Sequence, residues 1–182
     1  ALLSDMGRIE EAKQRYEKAL EIRQKLLQKD PENTAYQSYV GTAFNNLAGI
    51  YKDMGRYEEA MNLYSKSLDI REKLLGPGHS DVANTLNNMA VLYRETGRYE
   101  QALETFNRAL EILENIYGPE HPDIAITLNN MAILYREMRR YNEALKMFNR
   151  ALKILESVYG PGHPYIQKIQ RNIISINKNT GR

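Results

Sequence analysis

The chain has 182 residues, 42% of them hydrophobic and 26% charged, and 25 Lys+Arg against 23 Asp+Glu leave a formal net charge of +2. That length suits one domain or a short array of small units, and no apolar run approaches the ~20 residues of a membrane-spanning helix. The absence of cysteine excludes a disulfide scaffold, a thiolate zinc site and a cysteine nucleophile and fits a reducing, cytoplasmic compartment, while near-neutral charge argues against a dedicated nucleic-acid binder.

In chain order, ALLSDMGRIEEA lacks the basic–apolar–small order of a signal peptide. The segment SDMGRIEEAKQRYEKALEIRQKLL from Ser4 is a partial copy of a motif that returns three times. Ala1 aligns to the middle of a helix in the later copies, so the chain reads as opening inside a unit whose leading half-helix is missing. The stretch QKDPENTAYQSYVGTAF then holds six extra residues, since Gly7 and Gly55 stand 48 apart where later copies keep 42. Within it, Thr34-Ala35-Tyr36-Gln37 has capping-box spacing and predicts a helix from near Ala35. The copy NNLAGIYKDMGRYEEAMNLYSKSLDIREKLL follows from Asn45. Two full copies begin at Gly76 and Gly118, offset by 42 residues and identical at 28 of the 42 aligned positions. The division expected is a single domain over 1–182: a partial unit at 1–30, units at 31–75, 76–117 and 118–159, and a capping helix or truncated unit at 160–182.

Each unit reads as two helices. Val82, Leu86, Met89 and Tyr93 fall on one face of a 3.6-residue period, and Tyr99, Ala102, Leu103, Phe106, Ala109, Leu110, Leu113 and Tyr117 do the same in the next segment. Gly97 between them supplies the left-handed residue that ends a helix cheaply. Gly118-Pro119 stops the second helix, and Pro122 suits the first turn of the following one, with Asp123 near its positive end. Arg139 stands where other copies have Gly7, Gly55 and Gly97, and a left-handed arginine there costs roughly 1 kcal/mol. Ser67 replaces the Ala of Ala109 and Ala151, a mild change. In the last segment Ile166, Ile169, Ile173 and Ile176 make one apolar stripe, Asn177 replaces the repeat's Tyr, and from Pro161 onward Lys168, Arg171, Lys178 and Arg182 meet no acid. Short connections make the helices antiparallel hairpins, and hairpins at a fixed offset stack side by side.

Leu/Met–Ala–x–x–Tyr, Gly–x–Tyr and Ala–x–x–x–aromatic–x–x–Ala, seen as Met89, Ala90, Tyr93, Gly97, Tyr99, Ala102, Phe106 and Ala109, resemble the tetratricopeptide repeat. The 42-residue period with Gly-Pro-x-His-Pro-Asp is most similar to the form found in kinesin light chains. The resemblance implies an all-α, right-handed solenoid of stacked helix hairpins whose first helices line a concave wall, and it implies binding of short linear peptides there.

On a helical wheel Asn84, Asn88, Val91 and Glu95 lie opposite the apolar face, within about 60° of one another. The matching stripes are Thr42, Asn46, Gly49, Asp53; Ile126, Asn130, Ile133, Glu137; and Lys168, Asn172, Ser175, Asn179. One position is Asn every time, namely Asn46, Asn88, Asn130 and Asn172, beside a partial row of Asn45, Asn87 and Asn129 that Arg171 breaks. A carboxamide offers two donors and an acceptor with no charge to desolvate, and so suits the backbone of an extended peptide. Lys52, Arg94 and Arg136 flank the column and suit acidic groups on a ligand, although Asp53, Glu95 and Glu137 stand beside them. Alternatively the Asn side chains are structural and bond a neighbouring repeat.

Other chemistry is weaker. His79, His121 and His163 are spaced 42 apart, one per turn between units; helix packing distances of about 8–10 Å keep them from sharing ligand bonds of about 2 Å to a metal. His79-Ser80-Asp81 is contiguous and cannot line up as a triad. There is no phosphate loop and no His-Glu-x-x-His helix. The expectation is a non-catalytic interaction scaffold without cofactor or metal, binding a protein or peptide rather than nucleic acid or membrane. The competing expectation is self-assembly into homo-oligomers through exposed terminal helices.

Overall fold

The structure is a computed structural model that describes the backbone of residues 2–160 and 162–180 and the side chains of 7–160 and 162–178. Ala1, Pro161, Arg182 and the side chain of Asn179, which entered the reading of the two ends, lie outside the described residues. The described chain is all helix and turn: α1 Leu2–Lys29, α2 Thr34–Asp53, α3 Tyr57–Leu75, α4 Ser80–Glu95, α5 Tyr99–Tyr117, α6 Pro122–Glu137, α7 Tyr141–Tyr159 and α8 Pro164–Thr180. It forms two compact units, Ala1–Leu92 and Tyr93–Arg182.

In the first unit α1 packs on α2 and α2 on α3. Val40, Ala43, Phe44 and Leu47 of α2 bury themselves with Leu20 of α1. Ala48 meets Ala60 and Tyr64 of α3, with Met89 and Leu92 of α4 closing the cluster. The small alanines let the two backbones of the hairpin approach, and the large rings fill the space beside them. In the second unit α5 packs on α6, α6 on α7 and α7 on α8. Phe106, Phe148, Ile124, Leu128 and Leu134 are fully buried. So are Ile166, Ile169 and Ile176 of α8, so most of the isoleucine stripe belongs to the core and not to an exposed apolar end.

The hairpin bends share one construction. At α2–α3 the Arg56 N–H donates to Tyr51 O at 2.9 Å and the Gly55 N–H to Lys52 O at 2.9 Å, the paired bonds of a Schellman ending. Gly55 and Gly97 hold φ of +73° and +75°, and Arg139 holds the same place at +60°. The arginine thus takes the left-handed conformation its position demands.

Two local expectations shift. Asn33, not Thr34, caps α2: its side-chain oxygen accepts the Tyr36 N–H at 3.2 Å. The Asn33 carboxamide, one residue earlier, already occupies the orphan donor, so the helix starts at Thr34. Gly7 does not turn the chain; α1 runs through it as one helix of 28 residues. Its counterparts Gly55 and Gly97 instead take the left-handed conformation that ends a helix.

Candidate functional site

The amide stripe follows from helix period. Residues opposite each buried face are left toward solvent, and Asn46, Asn84, Glu95, Ile126 and Glu137 are exposed. In the first unit the amides form a relay. The Asn88 Nδ2 group donates to Asn45 Oδ1 at 3.3 Å, and Asn45 Nδ2 donates to Asn46 Oδ1 at 3.4 Å. The relay ties α4 to α2 and finishes on the exposed Asn46. Asn45, Asn46, Asn88, Gly49 and Lys52 line an open recess of about 380 Å³. Asn87 stands half-buried beside Asn88. Lys52 Nζ lies 3.1 Å from Asp53 Oδ1, so its charge is already partly matched.

The second unit uses the same positions differently. Asn129 is only 2% exposed, and its Nδ2 donates to Asn130 Oδ1 at 3.5 Å. Its own Oδ1 is buried with no partner among the described residues. The expectation that Asn129 presents its amide to a ligand is therefore corrected: that side chain is packed inside, behind Asn130, because a residue one step round the helix turns toward the core. Asn130 is half-buried. Arg94 Nη1 donates to Glu137 Oε1 at 2.5 Å and its Nη2 to Glu95 Oε1 at 3.4 Å, so this guanidinium is paired with two carboxylates. Arg136 instead donates to Asn172 Oδ1 at 3.2 Å, joining α6 to α8, and meets no carboxylate among the described residues. Of the three flanking cations, Arg136 is the one whose charge stays available.

An apolar recess of about 280 Å³ adjoins this face, lined by Ile126, Leu155, Tyr159, His163 and Tyr165 among others. Ile126 is 42% exposed, and burial pushes the Tyr165 phenol pKa up. The sequence held a signal for it, because Tyr165 and Ile126 replace Asp123 and Asn84 of the neighbouring copies, but periodicity alone does not join two helices into a pocket.

The histidines cap helices. Nδ1 of His79 accepts the Asp81 N–H at 3.1 Å, His121 that of Asp123 at 3.2 Å, and His163 that of Tyr165 at 3.3 Å. His121 and His163 stack on Tyr117 and Tyr159, with ring centroids 4.1 and 4.8 Å apart. No group of three metal-ligating side chains gathers among the described residues, and no described helix is long and apolar enough to cross a membrane.

One buried charge escaped sequence reading. Arg71 stands where Leu113 and Leu155 stand in the other copies, is 9% exposed, and donates through Nη1 to Asp81 O at 2.9 Å and Thr85 Oγ1 at 2.7 Å. Burial pushes its pKa down from the usual arginine value, opposed by the nearby Asp81 carboxylate. The arginine holds α3 to the start of α4.

The fold has relatives. A crystal structure of BtubC (BKLC) from P. vanneervenii superposes at a TM-score of 0.73 with 19% identity, covering 95% of this chain and 84% of that one. A Podosopora anserina putative kinesin light chain with nearly identical TPR-like repeats gives 0.71 with 22% identity, covering 97% and 81%. The N-terminal domain of stress-induced protein-1 from C. elegans gives 0.56 with 15% identity, covering 78% and 97%. Such identities establish the solenoid fold and nothing more. No curated protein matches the sequence. Profiles of the tetratricopeptide repeat match residues 39–115, 81–157 and 123–172, and a second such profile matches 1–32. Repeats of this kind generally mediate protein–protein interaction and are typically non-catalytic scaffolds. With matches running over nearly the whole length, the chain belongs to the tetratricopeptide-repeat family.

Proposed function

We propose that this chain is a non-catalytic scaffold that binds extended protein segments through the exposed faces of its first helices. The observation that carries the reading is the amide relay. Asn88 and Asn45 spend hydrogen bonds on positioning, and the exposed Asn46 at its end is held ready to offer its Nδ2 to a peptide carbonyl. A donor fixed before binding loses little entropy when the ligand arrives.

Each unit carries its own face. In the first, Asn45, Asn46, Asn87 and Asn88 supply neutral donors and acceptors that suit any backbone, with Lys52 at the rim. In the second, Asn130 supplies the amide, and Arg136, held by Asn172, supplies a charge for a ligand carboxylate. Arg94 is occupied by Glu95 and Glu137 and acts as a strut. Ile133 and the recess beside Ile126 take apolar side chains, which adds selection to backbone capture. The test is a peptide array probed with the wild-type chain and with the Asn88→Ala/Asn130→Ala double variant. The double variant should lose about 0.5–1.5 kcal/mol of binding per amide with unchanged helix content and melting. Equal capture by both proteins would remove the amide mechanism.

A further inference from the structure

The two amide faces hold the same residues in different states. At an offset of 84 positions, Asn45, Asn46 and Asn88 correspond to Asn129, Asn130 and Asn172. In the first unit the series of bonds is complete, from Asn88 Nδ2 to Asn45 Oδ1 and from Asn45 Nδ2 to Asn46 Oδ1. In the second the last link is present, from Asn129 Nδ2 to Asn130 Oδ1, but the first is not. Asn129 Oδ1, the atom equivalent to the one that receives Asn88, is buried without a partner among the described residues. An acceptor sealed from water without a donor keeps its full desolvation cost, so this face carries a bond in reserve.

The charges show why. In the first unit Lys52 turns to its own neighbour Asp53 at 3.1 Å, and Asn88 is left to Asn45. In the second, Arg136 has the place of Lys52 and Glu137 that of Asp53. Glu137 is taken by Arg94. Arg136 therefore reaches across to Asn172 Oδ1 at 3.2 Å and engages the carboxamide that Asn129 lacks. The charge around this contact is of one sign. Lys168 stands one turn before Asn172, Lys178 holds the position of Arg136 one repeat on, both are exposed, and residues 164–178 include no acid.

We propose that Arg136, Asn172 and Asn129 form a latch by which the second face selects acidic segments, a proposal that rests on peptide capture by the amide faces. A ligand carboxylate takes Arg136 in a charge-assisted pair and releases Asn172, whose Nδ2 then donates to Asn129 Oδ1. The reserved bond is made only for an acidic ligand. An aspartate or glutamate side chain is thus favoured twice, once by the guanidinium and once through a sealed amide that it never touches. A neutral segment leaves Arg136 on Asn172 and gains neither.

The probes are labelled hexaglutamate and hexaglutamine peptides, titrated into the intact chain at low salt and followed by anisotropy. Hexaglutamate should bind saturably, and Arg136→Met should weaken it about tenfold or more while leaving hexaglutamine unchanged. Asn129→Leu should weaken hexaglutamate about two- to tenfold more than hexaglutamine, although Asn129 is only 2% exposed. That surplus should vanish in the Asn172→Ala background, because the two positions act through one bond. A further measurement needs no change at Asn129. The side-chain amide resonances of Asn172, identified by their loss in Asn172→Ala, should move in the same direction on adding hexaglutamate and in Arg136→Met. No saturable hexaglutamate binding, equal losses for the two peptides, a surplus that survives Asn172→Ala, or Asn172 resonances that stay in place would each overturn the proposal. If the latch fails while Asn88→Ala/Asn130→Ala still impairs capture on the peptide array, the latch alone falls. If the array is unaffected as well, the capture reading falls with it.

Discussion

α3 and α7 occupy equivalent places in the two units and descend from one motif, yet they hold their neighbours by different means. In α7 the inward residues are Phe148, Ala151 and Leu155, all buried and all apolar. In α3 the same places are Tyr64, Ser67 and Arg71. The Ser67 hydroxyl donates to Gly41 O at 2.8 Å, and Arg71 reaches Asp81 and Thr85 of α4. Gly41 leaves little space there, for a Cβ on it would stand 3.1 Å from Ile70 Cγ2. The first unit is thus pinned by directional bonds that tolerate one register, whereas the second relies on volume. Directional bonds add specificity more than stability, because each buried polar group first loses its water.

That contrast can be broken at several points. Phe148→Ala should be the most damaging change, about 3–5 kcal/mol in denaturant unfolding, because a fully buried ring leaves a cavity. Arg71→Ala should lose about 2–3 kcal/mol, while Arg71→Leu, the residue of the other copies, should be near neutral or stabilising. If Arg71→Leu were as harmful as Arg71→Ala, the bonds and not the packing would carry α3. Ser67→Ala should cost about 1 kcal/mol by removing the hydroxyl's bond to Gly41 O, with Ala151→Ser as the reciprocal test in α7. Arg139→Gly should gain up to about 1 kcal/mol by relieving the left-handed arginine.

The smallest effect is one of pH, shared by both helices. Arg56 and Arg140 hydrogen-bond Glu59 and Glu143 and hold these carboxyls below their ordinary value of 4.5. A carboxyl depressed in the folded state contributes stability above its unfolded value, lost as pH falls through the folded one. Melting temperature should therefore dip slightly as pH drops below 4.5, and Glu143→Gln should flatten part of that dip. Both pairs are exposed, so the change is slight and salt-sensitive.

Much of this was legible in the residues. Hairpin boundaries follow from the 42-residue spacing and from glycines at left-handed bends, and even Arg139 could be placed by alignment alone. What periodicity does not convey is direction within a few tens of degrees. Asn129 and Asn130 are adjacent letters, yet one is sealed and the other half-open, because the helix turns 100° between them. Pairing was equally hidden: Glu137 partnering Arg94, and Asn172 partnering Arg136, depend on which helices lie side by side. Arg71 was visible as an exception to the repeat, but only its partners give the exception a meaning.

The imidazole at each junction between units has a consequence for handling the protein. Its δ-nitrogen lone pair is already committed to a main-chain amide of the following helix, so an alkyl group placed on that nitrogen evicts the helix start. Because one side chain type does this job at His79, His121 and His163, a single reagent would loosen all three joints together: the modular design that made the repeat easy to copy also gave it one common weak link.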